Sequence, residues 1–379
     1  MIALHRFTSA LALAYRHLLG DSSARMTMIA GILIYSALYP QPFVGEVVRD
    51  VPVAVIDQDN STESRKFLRR IDATDQVTIA TTVPNMAAAR DAFFRRDVYG
   101  IVIIPAGFER DLSAGVPSPI AAYGDGSYLL VYSNIMGAVT SVARAMGTEV
   151  NFDRLTATGM DAGQARAALS PVKVTNIPVF NPQGGYASYI VPASFVLILQ
   201  QTLMMGIGLL HAGRRLPTGM RMWATPIAYI TLYLGWVVFT QLMLPVFYGI
   251  PRTGDFGTLM LIALPFLCAC AAMGFAIALL IPSREGVVFF LVVMGLPLFF
   301  LSGIAWPAEA IPDQLRNIAM LVPSSTAISA FVAVNQMGAA PQDIIGAVEH
   351  QIILAFGYTA LAFAIYPFTK TRLERHPQP

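Results

Sequence analysis

Lysine is almost missing from this chain, and none of it stands where nucleotide chemistry would need it. The three lysines, Lys66, Lys173 and Lys370, follow Arg65, Val172 and Thr369. A P-loop requires Lys directly after Gly, so that backbone amides and the ammonium cradle the phosphates together. No such pair exists, so a Walker A motif is excluded. Cysteine is scarcer still, with Cys268 and Cys270 alone. Two positions apart on a helix they point to different sides, so they read as small packing residues rather than a disulfide or a metal pair. Five histidines are present, His5, His17, His211, His350 and His376, without any H-E-x-x-H, G-x-S-x-G or C-x-x-C pattern. Catalysis therefore has little to work with, and no cofactor or metal is expected. Charged residues make up only 13% of the chain, and the net charge of +2 comes from opposing local excesses and so says little about an acidic partner; no nucleic acid is expected as one.

What the chain has instead is apolar length. Hydrophobic residues reach 55%, far above a soluble average. They gather in runs over 26–40, 189–210, 223–248, 256–281, 286–306 and 351–368, none containing Asp, Glu, Lys or Arg. A hydrocarbon core about 30 Å thick needs ~20 apolar residues in a helix. The last five runs meet that length; the first needs its flanks, giving 26–42. The expected architecture is a polytopic α-helical membrane protein with six transmembrane helices in the lipid bilayer.

Charge asymmetry sets the orientation. Arg6, Arg16 and Arg25 precede the first span, and Arg214, Arg215 and Arg221 lie between spans two and three. Arg284 stands between spans four and five, and Lys370, Arg372 and Arg375 follow the last. The alternate loops are acidic or balanced. The positive-inside rule then puts both termini in the cytoplasm. The leader, 1–25, carries apolar residues among Arg6, Arg16 and His17, a pattern that suits a helix lying in the interface. No A-x-A site marks the first run as a cleaved signal. Residues 369–379 form a cytoplasmic tail.

Between spans one and two, 43–186 changes period. Val51–Ile56, Val77–Thr82, Val98–Ile104 and Ile120–Tyr123 read as strands. Helices are expected from about Arg65 to Ile71, Asn85 to Arg96, Phe108 to Leu112 and Ser127 to Thr158, with Pro171–Phe180 returning extended. Alternation of this kind predicts an α/β extracytoplasmic domain with a largely parallel sheet. Asp57-x-Asp59 admits two readings, a calcium loop or a strand-to-helix turn; Thr62 and Leu68 stand where an EF-hand needs Gly and Glu.

Several segments together resemble the membrane subunit of type-2 ABC exporters with a large extracytoplasmic insertion after the first span. They are Val51-Pro-Val-Ala-Val-Ile-Asp-Gln-Asp-Asn-Ser61, Gly100-Ile-Val-Ile-Ile-Pro105 with Phe108-Glu-Arg-Asp-Leu112, Phe180-Asn-Pro182 leading to Pro192, and Leu301-Ser-Gly-Ile-Ala-Trp-Pro307 continuing to Pro323-Ser-Ser-Thr326. The resemblance spans nearly the whole chain. It implies a permease subunit moving an amphiphilic solute outward, a soluble ABC ATPase partner, a second permease subunit, and a periplasmic adaptor on the outer domain. Bacterial inner membrane is the implied location.

The resemblance also supplies candidate sites. Arg214, Arg215, Arg221 and Arg284 are candidates for the ATPase-coupling loops, although simple topogenic charge explains them equally. Family members carry an acidic segment after span two; here 211–222 contains no Glu, so the shape of that contact is open. Gly303, Trp306, Pro307, Pro312 and Pro323 break the chain after span five, so 307–335 reads as re-entrant helices forming a gate, or as an outer loop on the bilayer. Within the spans Gln200, Gln201 and Gln241 are candidate pathway groups, with interhelical hydrogen bonding as the alternative role. A different class of function, a membrane-anchored assembly or sensor protein whose outer domain binds a ligand without transport, fits the same organisation.

Overall fold

The computed structural model describes residues 2–375 other than 44, 46, 173, 176, 178, 181–184 and 307–309. The chain divides into two compact units, 1–46 with 178–379, and 47–177.

The first unit begins with α1 (Ile2–Gly20). Its buried stripe, Ala10, Ala14 and Leu18, recurs every fourth residue, as a helix lying on one face requires. Asp21 then caps α2 by accepting the Ala24 amide at 3.0 Å. This helix covers 22–38 and includes one π-turn at Met26–Ala30. At 1.5 Å per residue it is about 26 Å long, just enough for a hydrocarbon core. The helix ends at Leu38, four residues short of the expected 26–42.

The second unit is α/β. Strand β1 (Val51–Asp57) leads through α3 (Thr62–Asp72) to β2 (Val77–Thr82), and α4 (Met86–Phe94) leads to β3 (Gly100–Ile104). After α5 (Phe108–Ala114), β4 (Ala121–Gly124) pairs antiparallel on β3. The order is β2-β1-β3-β4, parallel except for the last. Period-two alternation in β1 sends Val51, Val53 and Val55 to one face and Ala54 and Ile56 to the other. Phe67 and Ile71 of α3 and Ile135, Ala138 and Val142 of the long α6 (Leu129–Ala157) cover the first face; Ala89 and Ala92 of α4 cover the second. Each large side chain buried this way contributes roughly 1.5–3 kcal/mol. A short α7 (Ala162–Leu169) follows, which the sequence pattern did not announce. The Asp57-x-Asp59 segment is a turn built from side chains. Asp57 Oδ1 accepts the Asp59 and Asn60 amides, while Asp59 accepts the Gly107 and Glu109 amides at 2.7 and 3.0 Å and so caps the start of α5.

The first unit resumes with α8 (Tyr186–His211), α9 (Met220–Phe247, containing a π-turn at Phe239–Met243), α10 (Phe256–Leu280) and α11 (Arg284–Leu301). Then come α12 (Asp313–Ala319), α13 (Pro323–Met337) and α14 (Pro341–Arg375). The five long helices α8, α9, α10, α11 and α14 each enclose an interior proline: Pro192, Pro226, Pro265, Pro297 and Pro367. Among the described residues six helices are long and apolar enough to cross a membrane by length and composition. Five of them are these; the sixth is α6, which packs on the sheet instead. Helix α8 is the centre of the bundle, touching α10, α11 and α13, while α11 and α14 leave most of their apolar surface uncovered, as lipid-facing helices do.

Candidate functional site

Two polar groupings interrupt the apolar first unit. One lies where α1 meets α2. Asp21, besides capping α2, accepts from Arg284 Nη2 at 2.6 Å, tying the start of α11 to that junction. Arg214, in the connection after α8, places Nη1 3.3 Å from His17 Nε2 and donates to the Leu210 carbonyl. The His17 ring meets His211 edge-on at 6.1 Å, and His211 Nε2 lies 2.9 Å from the Tyr229 hydroxyl. Burial alone would raise the Asp21 carboxyl; the Ala24 amide and the Arg284 and Arg214 guanidiniums outweigh it and hold the group below its usual 3.8. Burial lowers the His17 imidazole from 6.5, and Arg214 and Arg284 add to that against a partial offset from Asp21.

Of the four candidate coupling arginines, the structure brings Arg214 and Arg284 to this junction. Arg215 and Arg221 are exposed. The acidic member, Asp21, was missed from sequence, yet a signal existed: it is the only acid in the first 25 residues, and Asp-Ser-Ser is an N-cap pattern. Beside the ion pair lies a groove of about 550 Å³, lined by Ser23, Leu209, Arg284, Glu285, Val288, Phe289 and Val292. Its polar groups sit at one end and its apolar walls run along α11.

The second grouping holds the bent pair α12–α13, whose axes turn by 88°. Gln200 in α8 is fully buried, and its Oε1 accepts the Ser324 amide at 2.7 Å, satisfying a donor at the first turn of α13. At the other end of α13, Asn335 Nδ2 donates to Gln241 Oε1 at 2.8 Å, and Arg252 Nε donates to Asn335 Oδ1 at 3.0 Å. Gln241 Nε2 in turn donates to the Pro192 carbonyl at 3.0 Å. Gln351 in α14 donates to the Pro323 carbonyl and to Thr326. Gln200 and Gln241 thus sit in interhelical bonds. Gln201 differs: its amide is buried toward Gly295 of α11 and makes no hydrogen bond among the described residues.

The candidate gate residues fall around the same turn. Gly303 has φ +81°, a left-handed conformation that favours glycine, and its carbonyl accepts from the Tyr189 hydroxyl at 2.8 Å. Trp306 is exposed, Pro312 precedes α12, and Pro323 opens α13, where its missing N–H costs nothing. Pro307 lies outside the described residues. Ile311, just before α12, is buried, whereas Leu315 and Ile318 within it are exposed. Asn335 and Gln351 were not singled out from sequence.

A family profile described as "ABC-2 family transporter protein" matches residues 24–367, nearly the whole chain. The chain belongs to this family. It is also similar to the linearmycin resistance permease protein LnrN of Bacillus subtilis (strain 168), with 23% identity over 339 residues, covering 83% of this chain and 86% of that protein. Membership makes this ABC-2 protein a multi-pass transporter permease subunit, whose family implies an ATPase subunit as partner.

Proposed function

We propose that this ABC-2 permease moves a hydrophobic or amphiphilic solute outward across a bacterial inner membrane, powered by ATP hydrolysis on a separate chain. The observation that carries this reading is the junction of α1, α2, the post-α8 connection and α11, held by Asp21, Arg284, His17 and Arg214. Arginine-bearing connections on the cytoplasmic side would receive the closure of the ATPase, and the ion pair would pass it to α11. Two permease subunits form the pathway, both termini are cytoplasmic, and 47–177 is extracytoplasmic, where a periplasmic adaptor docks. Helix α2 completes a set of six spans, and α12–α13 re-enters from the outer side as the gate. The groove along α11 suits a molecule with a polar head and apolar body. The name of LnrN, which speaks of resistance to linearmycin, favours export of such a compound.

Purification in mild detergent tests this reading. An ABC ATPase should co-purify, and inside-out vesicles should accumulate an amphiphilic dye only when ATP is added. ATP hydrolysis by the permease alone, or inward movement of the dye in right-side-out vesicles, would refute it.

A further inference from the structure

The start of α6 carries more apolar surface than the α/β core uses. Its core stripe is Ile135, Ala138, Val139, Val142 and Met146. Ahead of that stripe Tyr128, Leu129, Leu130 and Tyr132 are 41–75% exposed, and Tyr123 on β4 is exposed beside them. Helix α6 is apolar enough to pass for a membrane span, yet only 28% of its apolar stretch is buried.

Strand pairing fixes which end of the sheet this is. Gly124 pairs with Gly100, and Gly100 with Val53. The last residue of β4 therefore lies where β1 begins, which is where the chain arrives from the membrane helix α2. Val48, on that incoming segment, is itself exposed, and its carbonyl accepts from Asn134 Nδ2 of α6 at 2.5 Å. Arg96 pairs with the buried Asp125 and lies over the Tyr99 and Tyr128 rings at 6.0 and 5.7 Å. At the β2 corner the Asp50 amide donates to the Asp75 carbonyl at 3.2 Å, and both of these residues are exposed. Tyrosines with apolar rings and wet hydroxyls, mixed with leucine, are the side chains that settle at a membrane–water interface. A surface tethered this close to a span meets bilayer at high effective concentration.

We propose that this end of the α/β unit, through Tyr128, Leu129, Leu130 and Tyr132, rests in the interfacial layer of the outer leaflet. The inference relies on the extracytoplasmic placement proposed above. The contact is apolar, so it requires neither anionic lipid nor low salt.

The test uses the full chain in phosphatidylcholine nanodiscs. A Cys268→Ser background leaves only the fully buried Cys270. Leu130→Cys, or Gln58→Cys at the opposite end of the sheet, carries a bimane. Spin label on the lipid headgroups should quench the label at 130 at least about twofold and leave the one at 58 nearly unchanged, with no effect of added salt. Adding Leu129→Glu, on a side chain that touches little, should remove most of the quenching at 130 while thermal unfolding stays unchanged. Equal quenching at both positions overturns the proposal, as does a label at 130 shielded from water yet untouched by the lipid probe, which would mean a protein partner covers it. A separate measurement, impermeant maleimide reaching Gln58→Cys in intact cells, reports the placement itself.

Discussion

Asp21 and Arg284 stand 263 positions apart in the chain and 2.6 Å apart in space. Their contact joins the turn between α1 and α2 to the first residue of α11. Because both groups keep some exposure, the pair itself is worth about 1 kcal/mol rather than the several of a deeply buried one. A double-mutant cycle with Asp21→Asn and Arg284→Gln should return a coupling energy of that order in thermal unfolding, since Asn still caps α2. Uncoupling should also show as reduced stimulation of the partner ATPase by solute. Additive effects of the two substitutions would remove the ion pair from the coupling route.

His17 gives this junction a pH dependence with a definite sign. Its folded-state affinity for protons is below the ordinary 6.5, so the unfolded chain binds the extra proton first. Stability is therefore full above 6.5 and is lost as the pH falls below it toward the depressed folded value. Thermal unfolding followed between about pH 7.5 and 5.5 should show a larger drop for the native chain than for His17→Gln. An identical slope in both would assign the dependence to other groups.

Gln200 has one acceptor committed to the Ser324 amide. Gln200→Met keeps the volume but strands that buried N–H, at a cost of about 1–3 kcal/mol. Transport should fall more than folding does, because the lost bond positions α13. The comparison is vesicle transport against detergent melting of the same preparation.

Asn335 bonds Gln241 and Arg252 together. Replacing it with Leu leaves the buried Gln241 and the half-buried Arg252 each short of a partner, so a loss of about 1–3 kcal/mol is expected. Adding Gln241→Leu should recover part of that loss, because one orphaned partner disappears. No recovery would mean the three side chains do not act as a unit.

Gly100 offers a check on the α/β unit alone. A Cβ there would stand 2.7 Å from Ile135 Cδ1 and 2.9 Å from the Tyr123 carbonyl. Gly100→Val should destabilise the protein by about 1–3 kcal/mol through overpacking. Proteolysis between 47 and 177 should speed up, while cleavage within the helical bundle should not.

Much of this fold was legible because membrane and sheet both impose simple patterns. Five apolar runs became α8, α9, α10, α11 and α14, and the period-two alternation of Val51, Val53 and Val55 marked a strand with two covered faces. Helix α7 was not legible: its sequence from Ala162 is half Ala with no apolar stripe, and the Asp161 cap and the burial of Ala165 support it. Helix α11 stops at Leu301, before the expected end at Trp306, because Gly303 turns left-handed. Sites were legible as oddities, an arginine in a loop or a glutamine in grease. Their partners were not, since Asp21, Ser324 and Asn335 reach them only through tertiary packing.

Each long membrane helix after α2 contains an imino residue, which cannot donate to the carbonyl one turn earlier. Every one of these rods therefore has a missing rung written into its covalent structure, whatever shape the subunit takes. Bending at such joints breaks no backbone bond that was ever made. Each rod can flex at its own proline, set at a different level from one helix to the next, at little enthalpic expense, so a push at one end need not tilt a whole helix to be felt at the other.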